Sequence, residues 1–196
     1  QNALANDKKE REGITKERAL REAKAFIQIV HKFRDDALQT EEAPVEKVAI
    51  FDEAQRAWNE EALAKFMKRK RGLTDFRQSE PEFLISVMDR HQDWSVIVCL
   101  VGGGQEIHTG EAGINEWIEA IKKIYSDWDV FISDKIINYE YTGNLTLGQL
   151  FGDKPYQVIP DLHLGTSLRS FRSENVSVFV QAMLDEEIDI ARKAYK

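Results

Sequence analysis

The sequence predicts an α/β domain with a mostly parallel sheet that helices cover on both faces. Three short apolar runs, at residues 48–51, 94–101 and 130–132, have the length and composition of buried strands. Helical patterns precede, separate and follow these runs. Strands that alternate with helices usually pair in parallel, so this order indicates a layered α/β architecture.

Residues 1–72 contain two of the predicted helices. Residues 15–37 place apolar side chains at helical spacing, with Lys, Arg and Glu on the other face. After the strand at 48–51, residues 57–70 form the second helix, and Gly72 follows its end. The basic run at 68–71 has two interpretations. It either complements the helix dipole or contacts the phosphate backbone of a nucleic acid.

The second half of the chain continues the alternation. Pro81 lies in the first turn of a helix over residues 79–91, and the strand at 94–101 is rich in β-branched residues. Ser173 is a good cap for a last helix that extends to about residue 191. The remaining predictions are a helix at 113–126, a strand at 130–132, a short helix at 145–151 and a short strand within 162–168.

Composition limits the function classes. A chain of 196 residues can bury one core, and we expect a single domain over residues 14–196, with residues 1–13 disordered or derived from a tag. The formal net charge of −7 excludes a whole-chain basic signature for nucleic acid but leaves local patches possible. Cys99 is the single cysteine and is expected to be an inert buried thiol. No apolar stretch could span a membrane and no signal peptide is visible, so we expect a cytoplasmic protein.

Two adjacent acids, Asp52 and Glu53, follow the first predicted strand. In open α/β sheets, ligands bind at the carboxyl ends of the strands. One acid there can hold Mg²⁺ or its water, and the other can orient the attacking water. The alternative interpretation is a solvated acidic turn.

Two further stretches carry candidate chemistry. The segment VGGGQEIHTGE, residues 101–111, follows the second strand, and its glycines let the backbone approach a ligand while Gln105 offers an amide. The segment SLRSFRS, residues 167–173, carries Arg169 and Arg172, either of which could neutralise charge on a phosphoryl group. The alternatives are a tight strand-to-helix turn and arginines in surface ion pairs.

Together, DEAQ, GGGQ and LRSFRS in this order resemble the motor core of superfamily 1 helicases. More closely, FDEAQRAW, GGGQEIHTGEAG and LRSFRSENV resemble bacterial helicase-like ATPases of domain-of-unknown-function family 2075 over about residues 25–190. The resemblance implies a RecA-like, P-loop NTPase-type three-layer domain that lacks the N-terminal phosphate-loop strand.

The same resemblance implies roles for individual residues. Asp52 would coordinate Mg²⁺ through water, and Glu53 would activate the attacking water. Gln55 and Gln105 would sense the γ-phosphate. Arg169 would act as the arginine finger, with Arg172 a second candidate. The glycines that would approach the nucleotide are Gly103 and Gly104.

The sequence also departs from the family pattern. Gly103 stands where many helicases carry an acid, and GxxxxGK[ST] is absent. Since the chain starts without methionine, we expect a piece of a longer parent that uses ATP and Mg²⁺ and acts on DNA or RNA. The piece itself is expected to be inactive, to hold no cofactor and to self-associate through an uncovered sheet edge or face.

Two rival functions stay open. One is a non-catalytic interaction module on a motor-like scaffold, and the other is a different phosphotransfer enzyme such as a nucleotide kinase. The four histidines are dispersed without the spacing of a zinc site. The four tryptophans are expected in the core rather than as base-stacking residues.

Overall fold

The computed structural model describes residues 1–102, 110–111, 113–137, 145–165 and 174–195. These residues form two compact units. The first comprises Gln1–Trp128 with Ile137–Lys154, and the second comprises Asp129–Ile136 with Pro155–Lys196. Each unit is described separately below. The single domain expected over residues 14–196 stays a prediction.

The first unit begins with a helical hairpin. Helix α1 (Asn2–Glu12) ends at Gly13, whose φ of 65° lies in the left-handed region, and α2 (Lys16–Phe26) is capped by the Thr15 side chain. Three buried alanines, Ala5, Ala19 and Ala23, form the contact between the two helices. We expected residues 1–13 to be disordered or derived from a tag. Most of them form α1, whose small alanine lets it pack closely on α2.

The helix predicted over residues 15–37 is divided in two. Its chain is extended at Ile27 and Ile29, and α3 (Val30–Ala37) begins after this break. The halves pack in different places, since α2 faces α1 while Ala37 on α3 packs with Phe83 and Val87. A straight helix could not serve both contacts.

The central part of the first unit follows the predicted order. It contains β1 (Val48–Phe51), a 3₁₀ turn (Ala54–Arg56), α4 (Glu60–Arg71), α5 (Glu80–Met88) and β2 (Val96–Cys99). Strands β1 and β2 pair in parallel, with Val48 opposite Val96 and Phe51 opposite Cys99. Side chains of Asn59 and Ser79 cap α4 and α5, and Gly72 ends α4 in the left-handed conformation.

The remainder of the first unit packs against one face of this sheet. Helix α6 (Gly113–Lys123) contributes Trp117 and Ala120 to a buried cluster that also holds Leu84 and Ile85 of α5. The short helix α7 (Leu147–Phe151) begins with a capping box formed by Thr146 and Gln149. The parallel sheet thus has a covered face built from α5 and α6.

The opposite face of the β1–β2 sheet is open. Val48 and Ile50 on β1 are 48% and 62% exposed, and Val96 and Val98 on β2 are 43% and 37% exposed. We predicted strands buried on both faces, and for these strands the prediction is wrong. Alternate residues face the core, as in a half-covered sheet, because no described element packs over the other side.

The second unit contains a small parallel sheet and a helical hairpin. Strand β3 (Phe131–Ile132) pairs with β4 (Gln157–Val158), and 3₁₀ turns span Asp134–Ile137 and Pro160–Leu162. Helices α8 (Glu174–Leu184) and α9 (Ile188–Ala194) then pack on each other.

Two predictions are corrected in the second unit. Of the residues 162–168 in which a strand was expected, 162–165 contain no strand and 166–168 lie outside the described residues. Strand β4 lies earlier, and residues 160–162 form a 3₁₀ turn. The single helix expected to reach residue 191 is interrupted between α8 and α9, where Glu186 has a φ of 60°. A residue in the left-handed region ends a right-handed helix.

The described residues therefore confirm an α/β fold with parallel strands, while the three-layer arrangement stays a prediction. None of the helices within the described ranges is long and apolar enough to cross a lipid bilayer.

A buried ion pair joins three segments of the first unit. The Arg34 guanidinium on α3 donates to Glu80 Oε1 at 2.7 Å, and both side chains are almost fully buried. Glu80 Oε2 accepts the Trp58 backbone N–H at 3.0 Å, and the Glu80 N–H donates to the Trp58 carbonyl at 2.8 Å. Glu80 thus holds α3, the start of α5 and the chain after the first 3₁₀ turn in one arrangement.

We predict that Arg34→Met lowers the free energy of unfolding by about 3–5 kcal/mol, because it leaves the Glu80 carboxylate buried without its counter-charge. The double variant Arg34→Met/Glu80→Gln should recover part of that loss. Urea titration followed by far-UV circular dichroism measures both.

The matched control is Arg18→Met, which removes an exposed ion pair with Glu22 on α2. Its unfolding midpoint should stay near that of the unmodified chain. Equal loss in Arg34→Met and Arg18→Met would contradict a special role for the buried pair.

Candidate functional site

The two acids lie at the carboxyl end of β1, in a turn closed against β2. The Leu100 N–H donates to the Phe51 carbonyl and the Ala54 N–H donates to the Leu100 carbonyl, both at 2.9 Å. Between these bonds the chain turns outward, so Asp52 and Glu53 are exposed. The acids therefore stand at the end of the sheet where ligands bind in parallel α/β proteins.

Glu53 adopts an unusual backbone conformation. Its φ of 54° and ψ of 42° lie in the left-handed region, which costs a non-glycine residue about 1–3 kcal/mol and is frequent at functional sites. The Asp52 side chain supports the turn, since its Oδ1 accepts the Glu53 N–H at 3.1 Å. The Glu53 carboxylate lies 3.5 Å from Arg56 Nε.

Gln55 connects the acidic turn to the beginning of the glycine-rich loop. Its side chain is buried, and its amide nitrogen donates to Glu53 Oε2 at 2.8 Å. Its amide oxygen accepts the Gly102 N–H at 3.3 Å. One amide therefore contacts the candidate base and the backbone that leads into the GGGQ segment.

The hydrophobic core holds the turn that follows β1 in place. Ala54 is buried, and its carbonyl accepts a hydrogen bond from Trp117 Nε1 at 2.9 Å. Trp117 itself packs against Phe51, with ring centroids 5.5 Å apart. Because the indole of α6 fixes the turn, the exposed acids project from a rigid base.

The acids fit Mg²⁺ chemistry only in part. Proteins commonly hold Mg²⁺ through one or two carboxylates together with waters and substrate phosphates, and Asp52 can supply such a carboxylate. Within the described ranges, no group of three or more His, Cys, Asp or Glu side chains is placed to hold a metal ion. The phosphate-cradling motif GxxxxGK[ST] is absent from the 196 residues.

The structure brings together Asp52, Glu53 and Gln55 and sets them beside Gly102. The other predicted site residues lie outside the described residues, and their positions stay predictions: Gly103, Gly104, Gln105, Arg169 and Arg172.

Sequence reasoning missed a second polar feature and a cavity beside it. The buried Arg34 lies four residues after Val30 and three before Ala37, so it sits at a helical spacing on an otherwise apolar face. That position was the available signal. The cavity, lined in part by Trp58 and Phe66, had no signal in the sequence beyond aromatic residues near a basic run.

Comparison with known proteins gives one family. The family model described as Schlafen group 3, DNA/RNA helicase domain, matches residues 1–196. The chain belongs to this family. No curated protein and no solved structure matches the chain.

Membership in the Schlafen group 3 helicase-domain family confirms the helicase-like character predicted from the three motifs. It also indicates nucleic acid as the class of partner. The closer resemblance to family 2075 stays a prediction.

We predict that Cys99, at the end of β2, is chemically inert in the folded domain. Burial raises the pKa of its thiol from 9.0 to about 12. At pH 8 the reactive thiolate should therefore be about 1,000-fold scarcer than for an ordinary cysteine. Iodoacetamide labelling of the native chain, followed by mass spectrometry, measures this.

The urea-unfolded chain is the reference, because it carries the same cysteine in solvent. Native and unfolded chains that alkylate at similar rates would show that the thiol is accessible and ionised.

Proposed function

We propose that this chain is part of the motor of an ATP-dependent, nucleic-acid-stimulated helicase or translocase. The single observation that carries the proposal is the juxtaposition of Glu53, Gln55 and Gly102 at neighbouring strand ends, in a chain of a helicase-domain family. ATP is the substrate and Mg²⁺ the cofactor of the parent polypeptide. The partner is DNA or RNA.

The proposed reaction is in-line attack of water on the γ-phosphorus of ATP. Glu53 accepts a proton from the attacking water, and the oxygen of that water bonds to the γ-phosphorus. At the same time the bond from phosphorus to the β–γ bridging oxygen breaks, and ADP leaves. Asp52 would hold Mg²⁺ through water, and the metal would supply charge neutralisation for the phosphates. Arg169 neutralises developing charge, with Arg172 as the second candidate.

Gln55 is the proposed link between nucleotide and nucleic acid. Its amide already contacts the Glu53 carboxylate and the Gly102 N–H. A displacement of one of these groups would therefore shift the other through the Gln55 side chain. Gln105 is proposed as the second γ-phosphate sensor, with Gly103 and Gly104 allowing the backbone to approach the phosphates.

The proposal includes a RecA-like three-layer fold and a closer likeness to family 2075. A parallel strand pair with two acids at the carboxyl end of β1 supports the first, and the three ordered motifs support the second. We place the parent in the cytoplasm. The 196 residues alone are proposed not to hydrolyse ATP, since they contain no GxxxxGK[ST] loop.

In the parent polypeptide, Glu53→Gln should lower ATP turnover by about 100- to 10,000-fold, because the amide cannot accept the proton of the attacking water. Nucleotide binding should persist, since the side chain keeps its size. Phosphate release and the affinity for a fluorescent ATP analogue are the two measurements.

The control is Glu60→Gln, which neutralises a nearby exposed acid in the first turn of α4. The Glu60→Gln protein should hydrolyse ATP at close to the parental rate. A Glu53→Gln protein that hydrolyses ATP as fast as this control would overturn the role of Glu53.

The absence of GxxxxGK[ST] favours one alternative, a non-catalytic interaction module on a motor-like scaffold. The two functions differ in whether the parent gene encodes that loop. A parent without it that also fails to bind ATP would support the module.

We further propose that the 196-residue chain self-associates through the open face of the β1–β2 sheet. This face presents Val48, Ile50, Val96 and Val98, all more than a third exposed, and the two strands have no further partners among the described residues. Exposed apolar sheet surfaces tend to bind other chains.

Light scattering over a concentration series should show a mass above that of the monomer, and Ile50→Lys should shift it towards the monomer. Leu184→Lys, which adds the same charge at an exposed site in α8, is the control. A monomeric mass at every concentration would contradict the proposal.

A further inference from the structure

A cavity of about 440 Å³ lies along α4, and its first lining residue, Trp58, follows the acidic turn by five residues. It is lined by Trp58, Ala62, Lys65, Phe66, Arg69 and a short strip formed by Gly110 and Glu111. The volume is within the range of about 300–1,000 Å³ that is typical of small-ligand pockets.

The walls of the cavity are fixed by backbone contacts. The Asn59 N–H donates to the Gly110 carbonyl at 2.9 Å, and Trp58 forms an antiparallel bridge with Glu111. Trp58 is held from the other side by both of its backbone hydrogen bonds to Glu80. The opening is therefore built into the fold.

One wall is aromatic. The rings of Trp58 and Phe66 meet edge to face with centroids 5.3 Å apart, and His31 lies 5.3 Å from Trp58. Behind them the buried Arg34 guanidinium lies 4.5 Å from the Phe66 ring and 5.5 Å from the Trp58 ring. Its Nε and Nη2 have no hydrogen-bond partner among the described residues, and the two rings are its neighbours.

The rim carries positive charge. Lys65 and Arg69 lie four residues apart on α4, so they project from the same face of the helix, and both are exposed. Lys65 pairs with Glu61 on the surface at 2.6 Å, and Arg69 has no ion pair among the described residues. Two cations therefore lie beside the aromatic wall, and Arg69 is the one without an ion pair among the described residues.

We propose that this cavity binds one nucleotide unit of a single-stranded nucleic acid. The base lies against Trp58 and Phe66, and the phosphodiester is bound by Lys65 and Arg69. Aromatic faces next to cations are the combination with which proteins bind single strands. An inorganic anion would need no aromatic wall, and an apolar ligand would need no cations.

Glu111 refines the class of ligand. A carboxylate in the lining opposes the dense charge of a free triphosphate more strongly than the single charge of a phosphodiester. The choice of nucleic acid among phosphate-containing ligands rests on the proposed function.

The first test measures binding of fluorescein-labelled dT15 and rU15 by anisotropy, with no ATP present. Arg69→Gln should weaken binding about tenfold and reduce the salt slope by about one. Lys70→Gln is the matched control, because Lys70 is the next residue of α4, is exposed and does not line the cavity. It should change the affinity by less than about twofold.

The second test concerns the aromatic wall. Trp58→Leu should weaken binding of dT15 about tenfold and leave binding of an abasic 15-mer unchanged, since only the base stacks on the ring. Trp58→Phe should retain most of the affinity. Urea midpoints of both variants show whether a loss comes from unfolding.

Three results would overturn the inference. Equal losses of affinity in Arg69→Gln and Lys70→Gln would contradict a binding site at the cavity. So would a Trp58→Leu variant that loses as much affinity for the abasic strand as for dT15. Failure to bind either dT15 or rU15 would contradict single-stranded nucleic acid as the class of ligand. Because no ATP is used, a chain that fails as an ATPase can still pass this test.

Discussion

The buried pair of Arg34 and Glu80 is the interaction on which the first unit depends. The two residues are 46 positions apart, on α3, which precedes β1 in the chain, and on α5, which follows it. Glu80 also binds the N–H and carbonyl of Trp58, so a single carboxylate and its own backbone fix three segments. A charge buried in this way is stable only while its partner is present, so the three segments are ordered together.

Separate contacts hold the chain before and after the 3₁₀ turn at Ala54–Arg56, and the Glu80 clamp is the one that follows the turn. On one side, β1 pairs with β2 and delivers Asp52 and Glu53 to the carboxyl end of the sheet. On the other side, the clamp on Trp58 sets the start of α4 and the wall of the cavity. The acidic turn and the aromatic pocket thus share one rigid connection of a few residues.

The sheet itself is asymmetric. One face packs on α5 and α6 through Leu84, Ile85 and Trp117, whereas the other presents valines and isoleucine to solvent. Each strand alternates inward and outward side chains, so both faces are apolar and only one is used within the described residues. This pattern is expected of strands that need a further covering layer.

The sequence by itself determined the local features of this protein. The helix end at Gly72 and the strand at residues 48–51 lie where the pattern predicted. The caps at Asn59, Ser79 and Thr146, which the structure shows, also act over only a few residues. The acids at the end of β1 follow from the same local pattern.

Tertiary structure alone decided which distant groups meet. It set the division of the first long helix, the bridge from Gln55 to Gly102, the Arg34–Glu80 pair and the pocket at Trp58. The physical reason is distance along the chain. A cap or a turn is satisfied by its neighbours, whereas a buried charge or an open sheet face depends on which surfaces pack together.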